Sequence, residues 1–358
     1  MKRILIMAGG TGGHIFSALA IARALRRQGV EVHWLGTDGE LEEKVVAPEF
    51  PLNRIQIKAF RGEGLLWKCL MPFRLAKALL QTYRIIYRLR PGVIFGMGSY
   101  VTGPGGLVAW LTRIPLLIHE QNSVVGLTNR MLAVISKSVM QAFPNTFPKN
   151  PKVMTTGNPI RVELLNIPLP QTRFAVRQGP LRILVLGGSQ GARSINQKIM
   201  RALHQYPRSH EIMIWHQTGL PDYQVIRDDY QKILIKAQVN DFIEDMASAY
   251  AWADLIVCRS GALTVSEIAA VGVASIFIPY PYAVDNHQFY NGRFLEQAGA
   301  AIILLEKSLT EVNLIHYFEQ FAHHRNRLVA MAERARNLAQ PNAVHHIIAE
   351  CEKHYVVR

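Results

Sequence analysis

The 358-residue sequence predicts two Rossmann-like α/β domains, each built on a doubly wound parallel sheet, facing one another across a cleft. Three observations predict it. The length exceeds the usual size of one domain. Apolar strand-like runs alternate with helical patterns, the mark of parallel sheets covered by helices. The chain also begins twice. Arg3-Ile4-Leu5-Ile6-Met7 runs into Gly9-Gly10-Thr11-Gly12-Gly13, and Arg182-Ile183-Leu184-Val185-Leu186 runs into Gly187-Gly188-Ser189-Gln190-Gly191. Each is followed by a helical pattern, over residues 15–28 and 192–205.

In the first half, further strands are predicted over residues 30–35, 92–95, 116–119 and 139–142. In the second half they fall over 211–216, 255–257 and 275–278. The proline-rich stretch from Asn158-Pro159 through Pro168-Leu169-Pro170 to Gly179-Pro180 reads as the connection. The boundaries are then 1–158 and 159–339, and the ligand belongs between the domains at the carboxyl ends of the strands. The opening run resembles a signal peptide only briefly, because it stops at Gly9-Gly10, too short for an apolar core with a cleavage site. Nowhere do about 18 apolar residues run together, since Arg113 interrupts the best candidate, 107–118. A soluble or peripheral protein is expected.

With 49% hydrophobic and 18% charged residues, the composition excludes disorder. Cys69, Cys258 and Cys351 stand far apart, with neither zinc-ligand spacing nor a disulfide framework, which fits a reducing cytosol. A net charge of +14 calls for an anionic partner: nucleic acid, anionic lipid or a phosphorylated substrate. Between residues 54 and 90 nine basic residues face Glu63 alone, a local balance of +8.

A strand, a glycine loop and a helix start bring backbone N–H groups and the positive end of a helix dipole up to an anion. Three such loops are predicted, at 9–14, 96–106 and 187–191, which points to two phosphate-bearing ligands. The dinucleotide spacing G-x-G-x-x-G is missing, since Gly10 and Gly12 would require glycine where Ile15 stands. A dehydrogenase, with Asp38 as its ribose-binding acid, is thereby the minor enzyme alternative. The most informative segment runs from Asp254 to Glu267. A strand ends at Arg259-Ser260-Gly261, Ala262 opens a helix, and Glu267 on the second turn can accept hydrogen bonds from two ribose hydroxyls. The competing reading makes Glu267 a solvated residue paired with Arg259.

Taken together, GGTGGH at 9–14, GMGSYVTGPGG at 96–106, HEQN at 119–122, GNPIR at 157–161, GGSQGAR at 187–193 and CRSGALTVSEIAA at 258–270 resemble the MurG family over essentially the whole chain. Its members are N-acetylglucosaminyltransferases that convert lipid I (undecaprenyl-pyrophosphoryl-muramoyl-pentapeptide) into lipid II during peptidoglycan synthesis. The resemblance implies the GT-B fold, with the last helix, near 340–358, crossing back to the N-terminal domain. It implies a donor site for UDP-N-acetylglucosamine made by Thr11, Gly12, Gly13 and Asn122, Arg161 at the hinge, and Ser189. The backbone of Ile243 would meet uracil, and Ala262, Leu263, Thr264, Val265, Ser266, Glu267 and Gln288 complete the site. His287-Gln288 departs from the adjacent glutamines of relatives, and either of the two would touch the sugar. The acceptor diphosphate would lie on Gly12 and Gly13 and on Gly96, Gly98, Ser99, Tyr100, Gly103 and Gly105.

Transfer to a sugar hydroxyl needs a base and an environment that stabilises the departing diphosphate. No Asp-x-Asp occurs, so neither a metal held by that motif nor a cofactor is expected, and helix termini with Arg161 or Arg259 must act instead. The resemblance implies inversion by one in-line displacement. His14 is the candidate base, because the dipole at its helix start disfavours the imidazolium. His119 and Glu120 are the other candidates. Two rivals stay open. A nucleic-acid binder would explain the charge but leaves the glycine loops unexplained, and a UDP-N-acetylglucosamine 2-epimerase would share donor recognition.

Residues 60–90 are expected to dock the enzyme on the cytoplasmic face of the bacterial inner membrane, with other cell-wall or division proteins as further partners to test. Pro72 can open a helix. Arg74, Lys77, Gln81, Arg84 and Arg88 form one side, and Phe73, Leu75, Leu79, Leu80, Tyr83, Ile86 and Tyr87 the other, packed inward. The preceding loop, with Leu65, Leu66 and Trp67 at its tip, would insert among the headgroups.

Overall fold

Runs such as Ile4-Leu5-Ile6-Met7 have no polar alternation, so as strands they need cover on both faces, which a parallel sheet between helical layers provides. The computed structural model describes residues 2–57, 65–188 and 191–357, with backbone only over 65–70. The chain forms two units, residues 1–160 with 341–358, and residues 161–340.

The first unit contains β1 (Arg3–Met7), α1 (Gly12–Arg27), β2 (Glu31–Gly36), α2 (Glu40–Val45), β3 (Leu52–Arg54) and α3 (Leu65–Leu89). It continues with β4 (Val93–Gly96), α4 (Ser99–Leu111), β5 (Leu116–Glu120), α5 (Leu127–Ile135), β6 (Ser138–Gln141) and β7 (Val153–Thr155). The strand order is β3-β2-β1-β4-β5-β6-β7, and the paired strands run parallel. Chain direction across the sheet therefore reverses between β1 and β4, where Ile4 stands opposite both Val32 and Val93. The second unit contains α6 (Val162–Leu165), α7 (Pro170–Ala175), β8 (Leu181–Leu186), α8 (Arg193–Gln205), β9 (Ile212–Gln217), α9 (Tyr223–Tyr230) and β10 (Lys236–Asn240). It goes on through α10 (Met246–Trp252), β11 (Leu255–Cys258), α11 (Ala262–Val271), β12 (Ala274–Phe277), α12 (His287–Glu296), β13 (Ala301–Ile303), α13 (Glu311–His323) and α14 (Arg325–Asn337). Its order, β10-β9-β8-β11-β12-β13, repeats the first, with the switch between β8 and β11. A last helix, α15 (Ala343–Lys353), returns to the first unit.

Both faces of the first sheet are buried. Ile15, Leu19 and Ala22 of α1 meet Ile347, Ile348 and Cys351 of α15 on one side. Ala78, Ile86 and Leu89 of α3 and Val101 and Val108 of α4 cover Leu5, Met7 and Ile94 on the other. In the second unit Ile195, Ile199 and Leu203 of α8 and Leu314 and Phe318 of α13 close over Ile183, Val185 and Val257. Where the sequence suggested a bare connection, two short helices, α6 and α7, stand instead. Pro170 opens α7, its fixed φ suited to a first turn.

Two segments differ from their sequence reading. Helix α3 starts at Leu65, seven residues before Pro72, so the apolar stretch is helical backbone from 65 onward. The side chains of Leu65, Leu66 and Trp67 lie outside the described residues. The helix buries a narrow stripe, Ala78, Thr82, Ile86 and Leu89, while Phe73, Leu75, Leu80, Tyr83 and Tyr87, expected inside, are exposed beside Arg74, Lys77, Arg84 and Arg88. The cause is close approach: Ala78 is small, and Thr82 turns its hydroxyl onto the Ala78 carbonyl at 2.7 Å. Helix α4, in turn, begins at Ser99 and runs through Gly103-Pro104-Gly105-Gly106. Gly105 is a packing position, where any side chain would collide with the Met7 sulfur, and Gly96 belongs to β4, paired with Met7 and Ile118.

Candidate active site

Open parallel sheets bind ligands outside the carboxyl ends of the strands at the point of reversal. In the first unit that point joins the β1–α1 loop to the β4–α4 loop. Thr11 is the N-cap of α1, so Gly12 and Gly13 are its first residues, whose N–H groups have no preceding turn to bond. Thr11 Oγ1 lies 2.7 Å from His14 Nδ1. The Nε2 end of the same ring lies against Gly98, 3.4 Å from where a Cβ would stand, and Asn129 Nδ2 is 3.2 Å from that point. A larger residue at 98 would crowd the imidazole. A base at Nε2 requires the tautomer in which Nδ1–H donates to Thr11 Oγ1. Gly98, with φ of 81°, caps α4, and Ser99 and Tyr100 form its first turn. Gly98, Ser99 and Tyr100 therefore stand at the reversal point beside His14. Gly96 closes β4 opposite Met7, and Gly103 and Gly105 lie further along α4.

His119 and Glu120, the other candidate bases, are buried. His119 Nε2–H donates to the Gly157 carbonyl at 3.0 Å, and burial pushes the imidazole down to about 4. Glu120 accepts from Asn122 N–H (3.1 Å), Asn122 Nδ2 (3.2 Å), Gly126 N–H (3.1 Å) and Asn129 Nδ2 (2.9 Å). Its carboxylate organises the loop after β5 and holds the Asn122 side chain. Both side chains are thus bonded within the protein, to the Gly157 carbonyl and to the loop after β5.

In the second unit the reversal point joins the β8–α8 loop to β11–α11. Gly188 and Gly191 both adopt positive φ, 80° and 79°; Ser189 lies outside the described residues. After β11, Gly261 caps α11, and Ala262, Leu263 and Thr264 form its first turn. Val265 points into the core, so only its backbone could face a ligand, and the Ser266 hydroxyl returns to the Ala262 carbonyl at 2.9 Å. Glu267 is 8% exposed and not solvated. Its Oε2 accepts from Tyr250 Oη at 2.9 Å, and Arg161 Nε stands 3.8 Å from Oε1. Burial raises the Glu267 pKa above the ordinary carboxylate range, against the opposing pull of Arg161 and Tyr250.

Arg259 is not the partner of Glu267. Its guanidinium donates to Glu306 Oε2 (2.6 Å), to the Ile278 and Pro279 carbonyls (3.0 and 3.1 Å) and to Ser194 Oγ (3.0 Å). The cation beside Glu267 is Arg161, which is half-exposed. The Ile243 N–H donates to Gln217 Oε1 at 3.0 Å. The Gln288 carbonyl accepts from Ser260 Oγ at 2.7 Å and its Oε1 from Tyr280 N–H at 2.9 Å, which anchors the start of α12 beside the α11 cap. His287 instead donates Nδ1–H to the Val284 carbonyl at 2.8 Å. Gln288 is thus the one of the pair tied to the Ser260-Gly261 turn. Among the described residues no cluster of three metal-ligating side chains forms.

Three residues of this scaffold went unread in the sequence. Tyr250 and Asn129 sit on neighbouring helices outside the motifs they support, 17 residues before Glu267 and 9 after Glu120, and Glu42 lies in a run of acidic residues that looks solvated. The only signal available was a polar residue at a buried helical position, which is weak.

The family models for the N-terminal and C-terminal domains of glycosyltransferase family 28 match residues 4–141 and 182–347. A protein of Coxiella burnetii (strain RSA 331), named UDP-N-acetylglucosamine-N-acetylmuramyl-(pentapeptide) pyrophosphoryl-undecaprenol N-acetylglucosamine transferase, is 66% identical over 358 residues, the whole of both chains. Among solved structures, MurG of Acinetobacter baumannii matches with a TM-score of 0.87 and 40% identity, over 99% of this chain and 100% of that one. A UDP-GlcNAc 2-epimerase from Neisseria meningitidis, bound to UDP-GlcNAc, matches with a TM-score of 0.68 over 99% and 100% of the two chains. At 15% identity this is a likeness of fold alone. With two reversal-point sites on two parallel sheets, and with relatives of that identity across its full length, this chain belongs to the MurG family of glycosyltransferase family 28.

Proposed function

We infer that the protein transfers N-acetylglucosamine from UDP-N-acetylglucosamine to the muramoyl 4-hydroxyl of lipid I, giving lipid II for peptidoglycan synthesis. The observation that carries this reading is the 66% identity, without a gap in coverage, to a relative named for that transfer. In the second unit, Glu267 accepts from the ribose hydroxyls, the Ile243 backbone meets uracil, Gln288 meets the sugar, and the N–H groups opening α11 face the diphosphate. In the first unit, Gly12, Gly13 and the Gly98-Ser99-Tyr100 cap receive the acceptor diphosphate, with Thr11 and Asn122 supporting the donor sugar.

His14 Nε2 takes the proton of the 4-hydroxyl as that oxygen bonds to the anomeric carbon. The bond from that carbon to UDP breaks in the same displacement, with inversion. The charge that develops on the diphosphate is stabilised by the α11 N–H groups and Arg161, preset donors that need no rearrangement.

Among the described residues no helix is long and apolar enough to cross a membrane. Docking on the anionic cytoplasmic leaflet is assigned to α3. Its exposed Phe73, Leu80, Tyr83 and Tyr87 lie beside Arg74, Lys77, Arg84 and Arg88, and Trp110 and Leu111 are exposed on the neighbouring α4. Apolar side chains flanked by cations suit a headgroup zone.

The test is UDP release from UDP-N-acetylglucosamine with and without lipid I. Release that requires lipid I and yields a disaccharide-linked lipid is the expected result. Acceptor-independent release, or formation of the 2-epimer, would overturn the transferase reading.

A further inference from the structure

We propose that Glu42 is a positioning residue for the candidate base, holding the β1–α1 loop in a strained turn that places Thr11 and His14; this rests on the transferase reading above. Glu42 lies on α2, outside every motif that resembles the family, and is 1% exposed. Among the described residues no cation pairs with it. A buried carboxylate so placed is costly unless neutral donors satisfy it. Here Oε1 accepts from Thr37 Oγ1 at 3.0 Å and from the Gly10 N–H at 3.3 Å.

What the second bond holds is unusual. Thr11 N–H donates to the Gly9 carbonyl at 3.2 Å across Gly10, whose φ is +86°. A three-residue turn of this hand is rare and strained, and glycine at its centre removes only the side-chain part of the cost. Strain of this kind persists where the surroundings over-determine it. Gly10 is held from two directions. The Glu42 carboxylate takes its N–H, and the Tyr100 ring stands 3.0 Å from where its Cβ would be. Gly9 is shaped by the same group, since a Cβ there would meet Glu42 Oε1 at 2.8 Å. The next residue along, Thr11, caps α1 and lies 2.7 Å from His14 Nδ1. Glu42 therefore acts on the imidazole through a short covalent and hydrogen-bonded path, Gly10 to Thr11 to His14, without touching substrate. A base displaced by about 1 Å loses on the order of a hundredfold in rate.

The experiment compares Glu42→Ala, Glu42→Gln and Thr37→Val, with Glu40→Gln as control. Glu40 shares the helix but is exposed, and it pairs with Lys44. Glu42→Ala is expected to lower kcat about a hundredfold, with UDP affinity within about twofold of the parent. Glu42→Gln keeps an oxygen for the Gly10 and Thr37 donors and should recover kcat to within about tenfold. Thr37→Val, which leaves the Gly10 bond, should give a smaller loss confined to kcat. A readout independent of turnover is the titration midpoint of the His14 ring by NMR, expected to move in Glu42→Ala and to stay fixed in Glu40→Gln. An unmoved midpoint, kcat within about threefold in Glu42→Ala, or an equal loss of UDP affinity would overturn the proposal. Should Glu42→Ala fail to fold, unchanged kcat and His14 midpoint in both Glu42→Gln and Thr37→Val would overturn it. Failure of the transferase reading would appear separately, as UDP release by the parent enzyme that ignores lipid I.

Discussion

Replacing Glu267 by alanine is expected to weaken donor binding and the fold at once, and the two effects can be separated. A buried, charged acceptor of hydrogen bonds contributes about 1.5–3 kcal/mol, so loss of the ribose contacts should raise the Kd for UDP by about 10- to 150-fold. The same change strands the hydroxyl of fully buried Tyr250, whose 2.9 Å bond ends on Glu267, at a cost of about 1–3 kcal/mol in stability. Glu267→Gln keeps the volume and an oxygen for Tyr250, and should retain most of the stability while losing the charge-assisted part of binding. The pH dependence has a definite sign. Because burial raises the Glu267 pKa, the carboxylate that ribose requires forms only as pH climbs through that raised value, and UDP affinity should climb with it. Stability moves the other way. A carboxyl that holds its proton more tightly folded than unfolded contributes fully below the unfolded pKa of 4.5, and that contribution is lost as pH rises through the folded value. Calorimetric titration of UDP across a pH series, for parent, alanine and glutamine forms, reads all of this. Unchanged UDP affinity in Glu267→Ala, or the same pH profile in parent and Glu267→Gln, would refute the reasoning.

His14→Ala should lower kcat by about 10² to 10⁴ with UDP binding nearly intact; a fall below about tenfold would place the base elsewhere. His119, at about 4 when folded against 6.5 for a free imidazole, should give about 3 kcal/mol of stability above pH 6.5 that drains away as pH falls toward 4. Urea midpoints for His119→Gln should show a shallower acid limb, and an identical limb would count against a buried neutral ring. Changing Arg74, Lys77, Arg84 and Arg88 together to Gln should reduce cosedimentation with anionic vesicles by about tenfold or more, as added salt should for the parent. Equal binding to neutral vesicles, or no loss on substitution, would remove α3 from the membrane.

The sheet centres were legible because their information is local: four or five apolar residues, then glycines, then a helical period. The edge strands β3, β7, β10 and β13 were not, being three to five residues long with pairing on one side only. Glycine misled once. Gly103-Pro104-Gly105-Gly106 has the composition of a loop, yet the need for α4 to lie on Met7 and Leu132 selects glycine inside a helix. Amphipathicity misled in α3, where spacing cannot tell which of two apolar stripes is covered, and the stripe with Ala78 and Thr82 lies closer to the sheet. In the site, residues at loop–helix junctions could be read, but the groups that fix them could not. Tyr250 under Glu267, Asn129 beside Glu120 and Glu42 under Gly10 are placed by tertiary contact alone.

The helix that completes the first unit is made late. The α1 core closes only when Ile347, Ile348 and Cys351 of α15 arrive, after all of residues 161–340. At about 5–20 residues per second, those residues occupy the ribosome for roughly 10–40 s. Until then α1, with His14 in its first turn, has an uncovered apolar flank. The second unit is continuous in sequence and can fold first. An interrupted chain would carry an intact second unit and a first unit open on one side, a form that chaperones and proteases can recognise.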